Sequence, residues 1–288
     1  MAEPKQPTWR ARWLGSKLKD LRVNKSLNAK QVAVRLECSS GTVSHYERGI
    51  YPVSTRHLQV MLDMYSVGDP EERRKLLSLA EDVASRGWVE SLIDVQDFAD
   101  YVWAESKSEV IDDFQVSVIP GLLQVESYAE ALLSRGPEPR TPSKVRELVE
   151  IRMGRASRLL SNDAPACRFL LHEAVLHQRF DGVDVQVFGD QLRYLLTLAE
   201  RDNVSLRLLP YNSGLHNMLA STTGFTILQL SDAWPTIAHV ETPLGAVVAE
   251  TPDCNQLVDI FDRMWTGTGL DERRTIDLID RMVKEVER

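Results

Sequence analysis

Cysteine is scarce in this 288-residue sequence, and the three that occur do not form a CxxC pair. Cys38, Cys167 and Cys254 are far apart and odd in number, which argues against a structural zinc site and a disulfide framework. No apolar run approaches the roughly 18 residues that a membrane-spanning helix needs. The first residues also lack the apolar region of a secretory signal. We therefore expect a protein of the reducing cytoplasm, with no membrane attachment.

Catalytic and metal-binding patterns are equally sparse. His172 and His177 are five residues apart, whereas two histidines that share a zinc ion on one helix face are four apart. The two glycines of residues 266–269 follow a predicted helix instead of a strand and have no P-loop lysine beside them. His216 and His239 are single histidines, for which a structural or surface role is the simpler interpretation. The sequence therefore predicts no cofactor, no metal and no enzymatic activity.

Negative charge prevails overall, with a formal net charge of −8, but it is unevenly distributed. Residues 1–66 contain eleven Lys and Arg against five Asp and Glu, whereas residues 67–288 contain 23 basic and 37 acidic side chains. A basic segment attached to an acidic one is the pattern expected when only the basic segment meets phosphate. Chance clustering is the alternative that charge alone leaves open.

The basic segment has the pattern of a small all-α domain, which we place at residues 1–68. Residues 1–10 contain two prolines and few apolar side chains, and we expect a loose arm there. From Trp13 onward the apolar residues recur at helical spacing. Four to five short helices with tight turns between them fit into this domain.

Two consecutive helices of this domain have the pattern of a helix-turn-helix. Asn28 is a suitable N-cap for the first helix and Ser39 for the second, which Gly49 ends. The small residue Ala33 lies in the middle of the first helix, where a bulky side chain would hold the two helices apart. Val43, ten residues later, is placed to return to the core.

The second of these helices is predicted to present a polar face to solvent. With Val43 inward and about 100° per residue, the opposite face is small and polar at its start and cationic at its end. A recognition helix reads base edges with its N-terminal residues while flanking residues hold phosphates. The residues that we assign to base edges are Ser40, Gly41, Ser44 and His45. The residues that we assign to phosphates are Asn28, Lys30, Gln31, Thr42 and Arg48. An ordinary solvated helix face is the alternative.

The stretch "SLNAKQVAVRLECSSGTVSHYERG" resembles the Xre/lambda-repressor-like helix-turn-helix family. The family pattern is a capped helix, a small residue at the crossing, a serine-capped second helix and a terminal Glu-Arg-Gly. The resemblance covers residues 14–66. It implies sequence-specific binding to double-stranded DNA.

Beyond a helical linker at residues 69–105, residues 106–288 alternate between predicted strands and helices. Predicted strands begin at Phe114 and Ala166 and lie within 203–210, 223–230, 236–242 and 245–250. Predicted helices lie within 125–133, 144–160, 185–201, 252–265 and 271–287. This alternation predicts an α/β or α+β domain that is built on a mixed sheet.

An acidic run with interspersed aromatic residues lies where the two domains join. Its members are Trp88, Asp94, Asp97, Asp100, Tyr101, Trp103, Asp112 and Asp113. We expect a solvated junction. The alternative is a surface that contacts a basic partner, or that holds the basic domain in an autoinhibited pose.

The second domain resembles that of actinobacterial Xre regulators whose C-terminal domain is antitoxin-like and related to the developmental regulator WhiJ. The motifs that carry this resemblance occur in order over about residues 100–285: "VIPGLLQVESYAEALL", "EIRMGRASRLL", "LHEAVLHQRF", "QLRYLLTLAERDNVSLRLLP" and "HVETPLG". The resemblance implies that the acidic domain binds a small protein of the BldB-like kind, and that it also dimerises.

Together these patterns predict a cytoplasmic, sequence-specific transcriptional regulator, with repression as the expected mode. We expect a homodimer on a palindromic operator, because one short helix reads too few base pairs. The alternative function is an antitoxin-like interaction module that mainly sequesters a small partner protein. An enzyme built on the second domain is the least supported alternative.

Overall fold

The computed structural model describes residues 7–84, 96–135, 139–179, 183–213, 223–230, 234–242, 245–267 and 269–287. The chain divides into two compact units, residues 1–103 and 104–288. The division falls within one helix, Gln96–Lys107. No helix in these described ranges is both long enough and apolar enough to cross a bilayer.

Helices make up all the regular structure that is described in the first unit. They are α1 (Trp9–Asn24), α2 (Ala29–Arg35), α3 (Ser40–Glu47), α4 (Thr55–Met64), α5 (Pro70–Ala84) and the start of α6 (Gln96–Lys107). The predicted all-α N-terminal domain is therefore confirmed. Its core contains side chains that are completely buried, among them Leu18, Val32, Val43, Leu58, Met61 and Leu62.

The predicted loose arm at residues 1–10 is wrong at its C-terminal end, because α1 already begins at Trp9. The Trp9 and Arg10 side chains are 5% and 3% exposed. The Asp100 carboxylate accepts a hydrogen bond of 2.9 Å from the backbone N–H of Trp9. A carboxylate at this end of a helix satisfies an orphan donor and interacts favourably with the helix dipole. Residues 1–6 lie outside the described ranges.

Helix α5, which the sequence assigns to a linker, packs against α1 and α4 within the first unit. Its apolar stripe, Leu76, Leu79 and Ala80, is buried. Glu71 and Glu72 lie in its first turn, where negative charge suits the helix dipole.

The second unit is built on a six-stranded mixed sheet in the order β3-β2-β1-β4-β5-β6. The strands are β1 (Val110–Gln115), β2 (Ala166–His172), β3 (Val204–Leu209), β4 (Phe225–Gln229), β5 (Ile237–Thr242) and β6 (Gly245–Glu250). Strands β1, β2 and β3 pair in parallel, whereas β4, β5 and β6 are joined by antiparallel pairs. The predicted mixed sheet is confirmed.

Helices cover this sheet and supply much of the core of the second unit. They are α7 (Glu126–Leu133), α8 (Pro142–Ala156), α9 (Val185–Ala199), α10 (Asn255–Gly267) and α11 (Glu272–Val286). Phe261, Met264 and Trp265 of α10 pack on Phe114, Leu170, Leu209, Phe225 and Ile227 of the sheet. Helix α11 packs against α9 and β3.

Strand β1 begins at Val110, upstream of the predicted start at Phe114, and it includes Asp112 and Asp113. The Asp112 carboxylate accepts two hydrogen bonds, of 2.6 and 2.7 Å, from the Arg168 guanidinium on the neighbouring strand. Asp113 accepts a hydrogen bond of 2.8 Å from the Gln115 amide. Both carboxylates are buried, so they add no negative charge to the surface of the second unit.

The predicted solvated acidic junction is therefore wrong for Asp100, Asp112 and Asp113, all of which are buried. Asp112 and Asp100 have partners 56 and 91 residues away in the sequence. A local pattern of acidic residues gives no sign of such partners. Trp88, Asp94 and the side chain of Asp97 lie outside the described residues.

Candidate nucleic-acid interface

Helices α2 and α3 pack against each other through small and β-branched side chains. Val32 and Ala33 of α2 and Val43 of α3 are 0%, 3% and 0% exposed. Glu37 has a φ of 55°, and the Cys38 N–H donates to the Ala33 carbonyl over 3.0 Å, which ends α2 and reverses the chain. The structure thus has a helix-turn-helix, with Ala33 in the buried contact between its helices as the sequence predicted.

The first helix is closed by a reciprocal capping box between Asn28 and Gln31. The Asn28 Oδ1 atom accepts from the Gln31 N–H over 2.9 Å, and the Gln31 Oε1 atom accepts from the Asn28 N–H over 2.8 Å. Both residues are exposed, and their NH₂ groups take no part in the box. The two predicted phosphate contacts therefore keep donor groups at the surface, on side chains that the box holds in place.

Ser39 caps α3 and also orders Thr42, a third predicted phosphate contact. The Ser39 Oγ atom accepts from the Thr42 N–H over 3.0 Å and lies 2.9 Å from the Thr42 Oγ1 atom. A hydroxyl group has one donor and two acceptor positions. The Thr42 hydroxyl can therefore keep this contact and still bind a phosphate oxygen.

The outer face of α3 carries the residues that the sequence assigns to base edges. Ser40 and Gly41 are exposed, and Ser44 and His45 are half-buried. A Cβ atom on Gly41 would meet one described neighbour within 4 Å, the Ser39 Oγ atom at 3.4 Å. The N-terminal end of this face therefore has no large side chain above the helix backbone. This is the end at which a recognition helix approaches base edges.

Tyr51 lies directly against the His45 ring, a contact that the sequence did not reveal. The two ring centroids are 4.6 Å apart and the planes meet at 78°, an edge-to-face arrangement. The Tyr51 side chain is 52% exposed. It therefore restricts the orientation of His45 and adds an aromatic hydroxyl group to the same surface. The available signal was a lone aromatic residue directly after the helix-ending "RGI".

Two exposed cations flank this face. The Arg48 Nε atom donates to the Ser44 carbonyl over 3.2 Å, so the guanidinium group lies beside the last turn of α3. Lys30 is exposed in the first turn of α2. Both groups have the charge and the exposure that phosphate contacts require.

The C-terminal end of α3 is held by unusually close packing on α1. A Cβ atom on Gly15 would lie 2.6 Å from the carbonyl oxygens of both Tyr46 and Glu47. Gly49, which ends α3 as predicted, has a φ of 68°, and its Cβ would lie 2.7 Å from the Ala11 carbonyl group. Glycine is needed at both positions because no larger residue fits without displacing backbone.

A part-buried ion pair fixes the same end of α3. The Glu47 carboxylate accepts from Nε and Nη2 of Arg22 over 2.5 and 2.8 Å, and Arg22 Nη1 donates to the Leu27 carbonyl over 2.8 Å. The two side chains are 13% and 6% exposed for Arg22 and Glu47. The hydrogen bond with Glu47 raises the pKa of Arg22. The Glu-Arg-Gly of the sequence pattern thus contributes two structural residues, Glu47 and Gly49, and one surface cation, Arg48.

In the second unit, the "VIPGLLQ" motif forms a buried turn that is held by amide side chains. The Gln191 side chain accepts from the Val125 N–H and donates to the Leu123 carbonyl, over 2.8 and 2.7 Å. Gln124 donates to the Ile119 carbonyl over 2.7 Å. Gln124 and Gln191 are 2% and 0% exposed, so this part of the motif serves the fold.

Two histidines of the second unit, His172 and His177, lie close to other protein groups. The His172 Nδ1 atom accepts from the Ala174 N–H over 3.1 Å, and its ring lies edge-on to Tyr211. His177 lies 3.9 Å from the Glu173 carboxylate. Among the described residues, no group of three or more His, Cys, Asp or Glu side chains could hold a metal ion. His216 and residue 268 of the "TGTG" stretch lie outside those residues.

Comparison with known proteins gives two matches, which follow each other along the chain. A family model described as a helix-turn-helix domain matches residues 13–76. A second model, described as a domain of unknown function (DUF5753), matches residues 98–281. No curated protein matches the chain. No solved structure matches it either.

The first of these matches contains every residue that the sequence assigns to DNA, from Asn28 to Arg48. The second match covers more than half of the chain and all six strands of the sheet. The chain belongs to the DUF5753 family and carries a helix-turn-helix domain ahead of the domain that defines it.

Proposed function

We propose that this protein is a sequence-specific DNA-binding transcriptional regulator that acts as a repressor. The observation that carries the proposal is the outer face of α3. It is small and polar where a recognition helix meets base edges and cationic where the helix ends. Helix α1 holds the C-terminal end of α3 through the close contact at Gly15 and through the Arg22–Glu47 pair. The outer face of α3 is therefore presented in a fixed orientation.

The surrounding side chains suit the phosphate backbone. Asn28, Gln31 and Lys30 present donor groups at the start of α2, and Arg48 presents its guanidinium group at the end of α3. Phosphate contacts supply most of the affinity and its salt dependence, whereas base contacts supply discrimination between sequences. Ser40, Gly41, Ser44 and His45 are the residues that we propose to discriminate.

We also propose that two copies act together on a palindromic operator. Helix α3 has eight residues, and one such helix contacts only a few base pairs. Two copies related by a two-fold axis read two half-sites about one helical turn apart, which multiplies the discrimination. The regulator then works in the cytoplasm, bound to the nucleoid.

For the second unit we propose partner binding and no catalysis. The support is the resemblance of its motifs to those of WhiJ-related, antitoxin-like regulators, which implies a small protein of the BldB-like kind as the partner. The partner would tune DNA binding by the first unit. Co-purification of the full chain with the product of a neighbouring reading frame tests this; capture without any genomic DNA site would favour the sequestering function.

The test of DNA recognition starts from operators identified by genome-wide co-precipitation with the full chain. Fluorescence anisotropy then compares the operator with random DNA for Ser44→Ala, His45→Ala and Arg48→Ala. We expect each of the first two to reduce the ratio of operator to random affinity about tenfold or more, since one good base contact gives about 1–3 kcal/mol of discrimination. Arg48→Ala should weaken both affinities about equally.

Matched controls are available outside α3. Arg281 is exposed and donates from Nε to the carbonyl of Asp277, four residues earlier, as Arg48 does to Ser44. Arg281→Ala should leave both affinities unchanged, and so should Ser16→Ala on the surface of α1. If the three α3 variants bound operator like the wild type, α3 would not be the recognition helix.

A further inference from the structure

The two edge strands of the sheet, β3 and β6, differ in whether other parts of the chain cover their outer sides. On β3, the Leu208 N–H donates to the Thr275 hydroxyl over 3.1 Å, and the Leu208 carbonyl accepts from the Leu270 N–H over 2.7 Å. Helix α11 and the segment before it therefore cover that edge. On β6, Gly245, Ala246 and Val247 are exposed, and no strand of the described residues pairs with its outer side.

The register of β5 and β6 shows which backbone groups of β6 point outward. Val240 is opposite Val247 and His239 is opposite Val248. The ladder continues with a hydrogen bond of 3.0 Å from the Thr251 N–H to the Thr236 carbonyl. Hydrogen-bonded and non-hydrogen-bonded pairs alternate in an antiparallel ladder. Val247 and Ala249 therefore bond to β5, whereas the N–H and C=O groups of Ala246 and Val248 point away from it.

The side chains of the first five residues of β6 do not protect this edge. Exposed edge strands are usually blunted by charged residues, proline or bulges, because their open backbone groups bind any matching strand. Residues 245–249 read Gly-Ala-Val-Val-Ala and contain none of these devices. Val247 is 58% exposed. Up to its last residue, Glu250, the strand is thus an uncharged, open edge in the part of the chain where acidic residues outnumber basic ones 37 to 23.

We propose that β6 pairs antiparallel with β6 of a second copy, with Ala246 opposite Val248 of that copy, so that the two sheets become continuous. In this register the outward groups of Ala246 and Val248 exchange hydrogen bonds in both directions across a two-fold axis. The axis passes between the two Val247 residues, which form a non-hydrogen-bonded pair with Cα atoms about 4.5 Å apart.

A second copy fits this edge better than a foreign strand does for two reasons. Antiparallel pairing of a strand with itself is isologous, so the same few residues complete both sides and the assembly closes. Pairing here also sets no like charges of two net-acidic bodies directly against each other, because residues 245–249 carry no charge. The proposal rests on the proposed function in one respect, since a two-fold axis is what a palindromic operator requires.

The first test measures the oligomeric state of the full chain by sedimentation equilibrium. Val248→Pro removes an outward N–H that β5 does not use, and Val247→Lys places two like charges opposite each other at the axis. We expect a wild-type dimer, and a dissociation constant at least tenfold higher for either variant. Val185→Lys, which makes the same change at a 47% exposed valine of α9, should leave the dimer unchanged.

The second test detects the pairing without relying on a disruptive variant. Val247→Cys, with Cys38 replaced by serine, should form an intermolecular disulfide under mild oxidation. The expected Cα separation at the axis lies within the range that disulfides span. Val185→Cys in the same background should not cross-link. A wild-type monomer, a dimer that the β6 variants leave intact, or recovery of a different protein on β6 would each overturn the proposal.

A half-site duplex separates this proposal from the proposed function. A monomeric Val247→Lys variant should bind a single half-site like the wild type and lose affinity only for the full palindrome. If the full chain bound no DNA while the Val247→Cys cross-link still formed, the regulator function would fail and the β6 pairing would stand.

Discussion

Glycine occurs at two helical positions of the first unit, Gly15 and Gly41, for different reasons. At Gly15 a Cβ atom would lie 2.6 Å from two carbonyl oxygens at the end of α3, so packing within the unit requires glycine. At Gly41 the nearest described atom to an added Cβ is the Ser39 Oγ atom, at 3.4 Å, which is ordinary contact. Packing within the described residues thus does not explain Gly41. The close approach of the α3 backbone to DNA that we propose would account for it.

Gly41→Gln is therefore expected to change the preferred operator without destabilising the fold. The free energy of unfolding should stay the same or rise by up to about 1 kcal/mol, because glycine is a poor helix former. Selection of binding sites from a random DNA library compares the preferred sequence with that of the wild type. Gly15→Ala is the contrasting variant and should cost about 1–3 kcal/mol through overpacking. An unchanged preferred site for Gly41→Gln would mean that the glycine has no role in recognition.

At the scale of elements, α3 depends on α1 more than on its own sequence. It has eight residues, and isolated helices shorter than about 12 residues are marginal in water. Its position is set by the Arg22–Glu47 ion pair, whose partners are 25 residues apart in the sequence. The recognition face is thus oriented by contacts on the opposite side of the helix.

Glu47→Ala should destabilise the first unit by about 1.5–3 kcal/mol, because it removes the charged partner of the part-buried Arg22 guanidinium group. Thermal and urea unfolding of the full chain measure this loss. Glu71→Ala is the matched control: its partner Arg74 and Glu71 itself are 68% and 54% exposed, and solvent screening leaves exposed pairs with little effect on stability. Equal effects of the two variants would mean that the Arg22–Glu47 pair does not hold α3 in place.

Strand β1 carries a carboxyl group whose burial makes the second unit sensitive to pH. Burial raises the pKa of Asp113 from 3.8 to about 7, and the negative charges of Glu105 and Glu241 act in the same direction. The Gln115 hydrogen bond and the Arg155 charge oppose the shift. Because the folded state binds this proton more tightly than the unfolded state, the group stabilises the fold below about pH 4. That contribution is lost as the pH rises toward 7.

Asp113→Asn should remove this pH dependence while keeping the side-chain oxygen that accepts from Gln115. At pH 8 the variant should be more stable than the wild type, by on the order of a few kcal/mol for a shift of about three pKa units. The difference should shrink as the pH falls to 5. Urea unfolding at several pH values measures it. Asp112→Asn should instead destabilise at pH 5 and at pH 8, since it disrupts the bidentate pair with Arg168. If the free energy of unfolding of Asp113→Asn changed with pH as that of the wild type does, Asp113 would not be the source of the pH dependence.

At the scale of the whole molecule, the basic and acidic segments have different relations to DNA. Residues 1–66 carry the excess of basic side chains and residues 67–288 the excess of acidic ones. The acidic segment has a net negative charge, and we expect its potential to oppose non-specific binding to DNA. Affinity for DNA should therefore depend on a few cations of the first unit and should fall steeply with salt.

Lys30→Ala should reduce the slope of log K against log salt concentration by about 0.9, the value for one lost phosphate contact. It should weaken operator and random DNA about equally, because phosphates carry no sequence information. Lys284→Ala in the acidic segment, where the lysine pairs with Asp280, should leave the slope unchanged. Titrations over a range of salt concentrations measure both. The same loss of slope for both variants would mean that the change in slope does not report a phosphate contact made by Lys30.

Local signals in the sequence determined the helix-turn-helix and most elements of the second unit. The caps Asn28 and Ser39, the helix-ending Gly49 and the spacing of apolar residues act over a few residues, so they can be read along the chain. The alternation of strand residues works in the same way, and it placed β3 to β6 correctly. The surface positions of Ser40 and Arg48 followed from the same periodicity.

Only the tertiary structure decided what depends on groups that are distant in the chain. The close approach at Gly15, the Arg22–Glu47 pair and the burial of Asp112 against Arg168 join residues about 25 to 56 positions apart. The order of the strands, which covers β3 and leaves β6 open, is a property of the assembled sheet. Local sequence fixes backbone conformation because its causes are steric and short-ranged. Burial and pairing depend on which segments fold against each other, and no short window of sequence contains both partners.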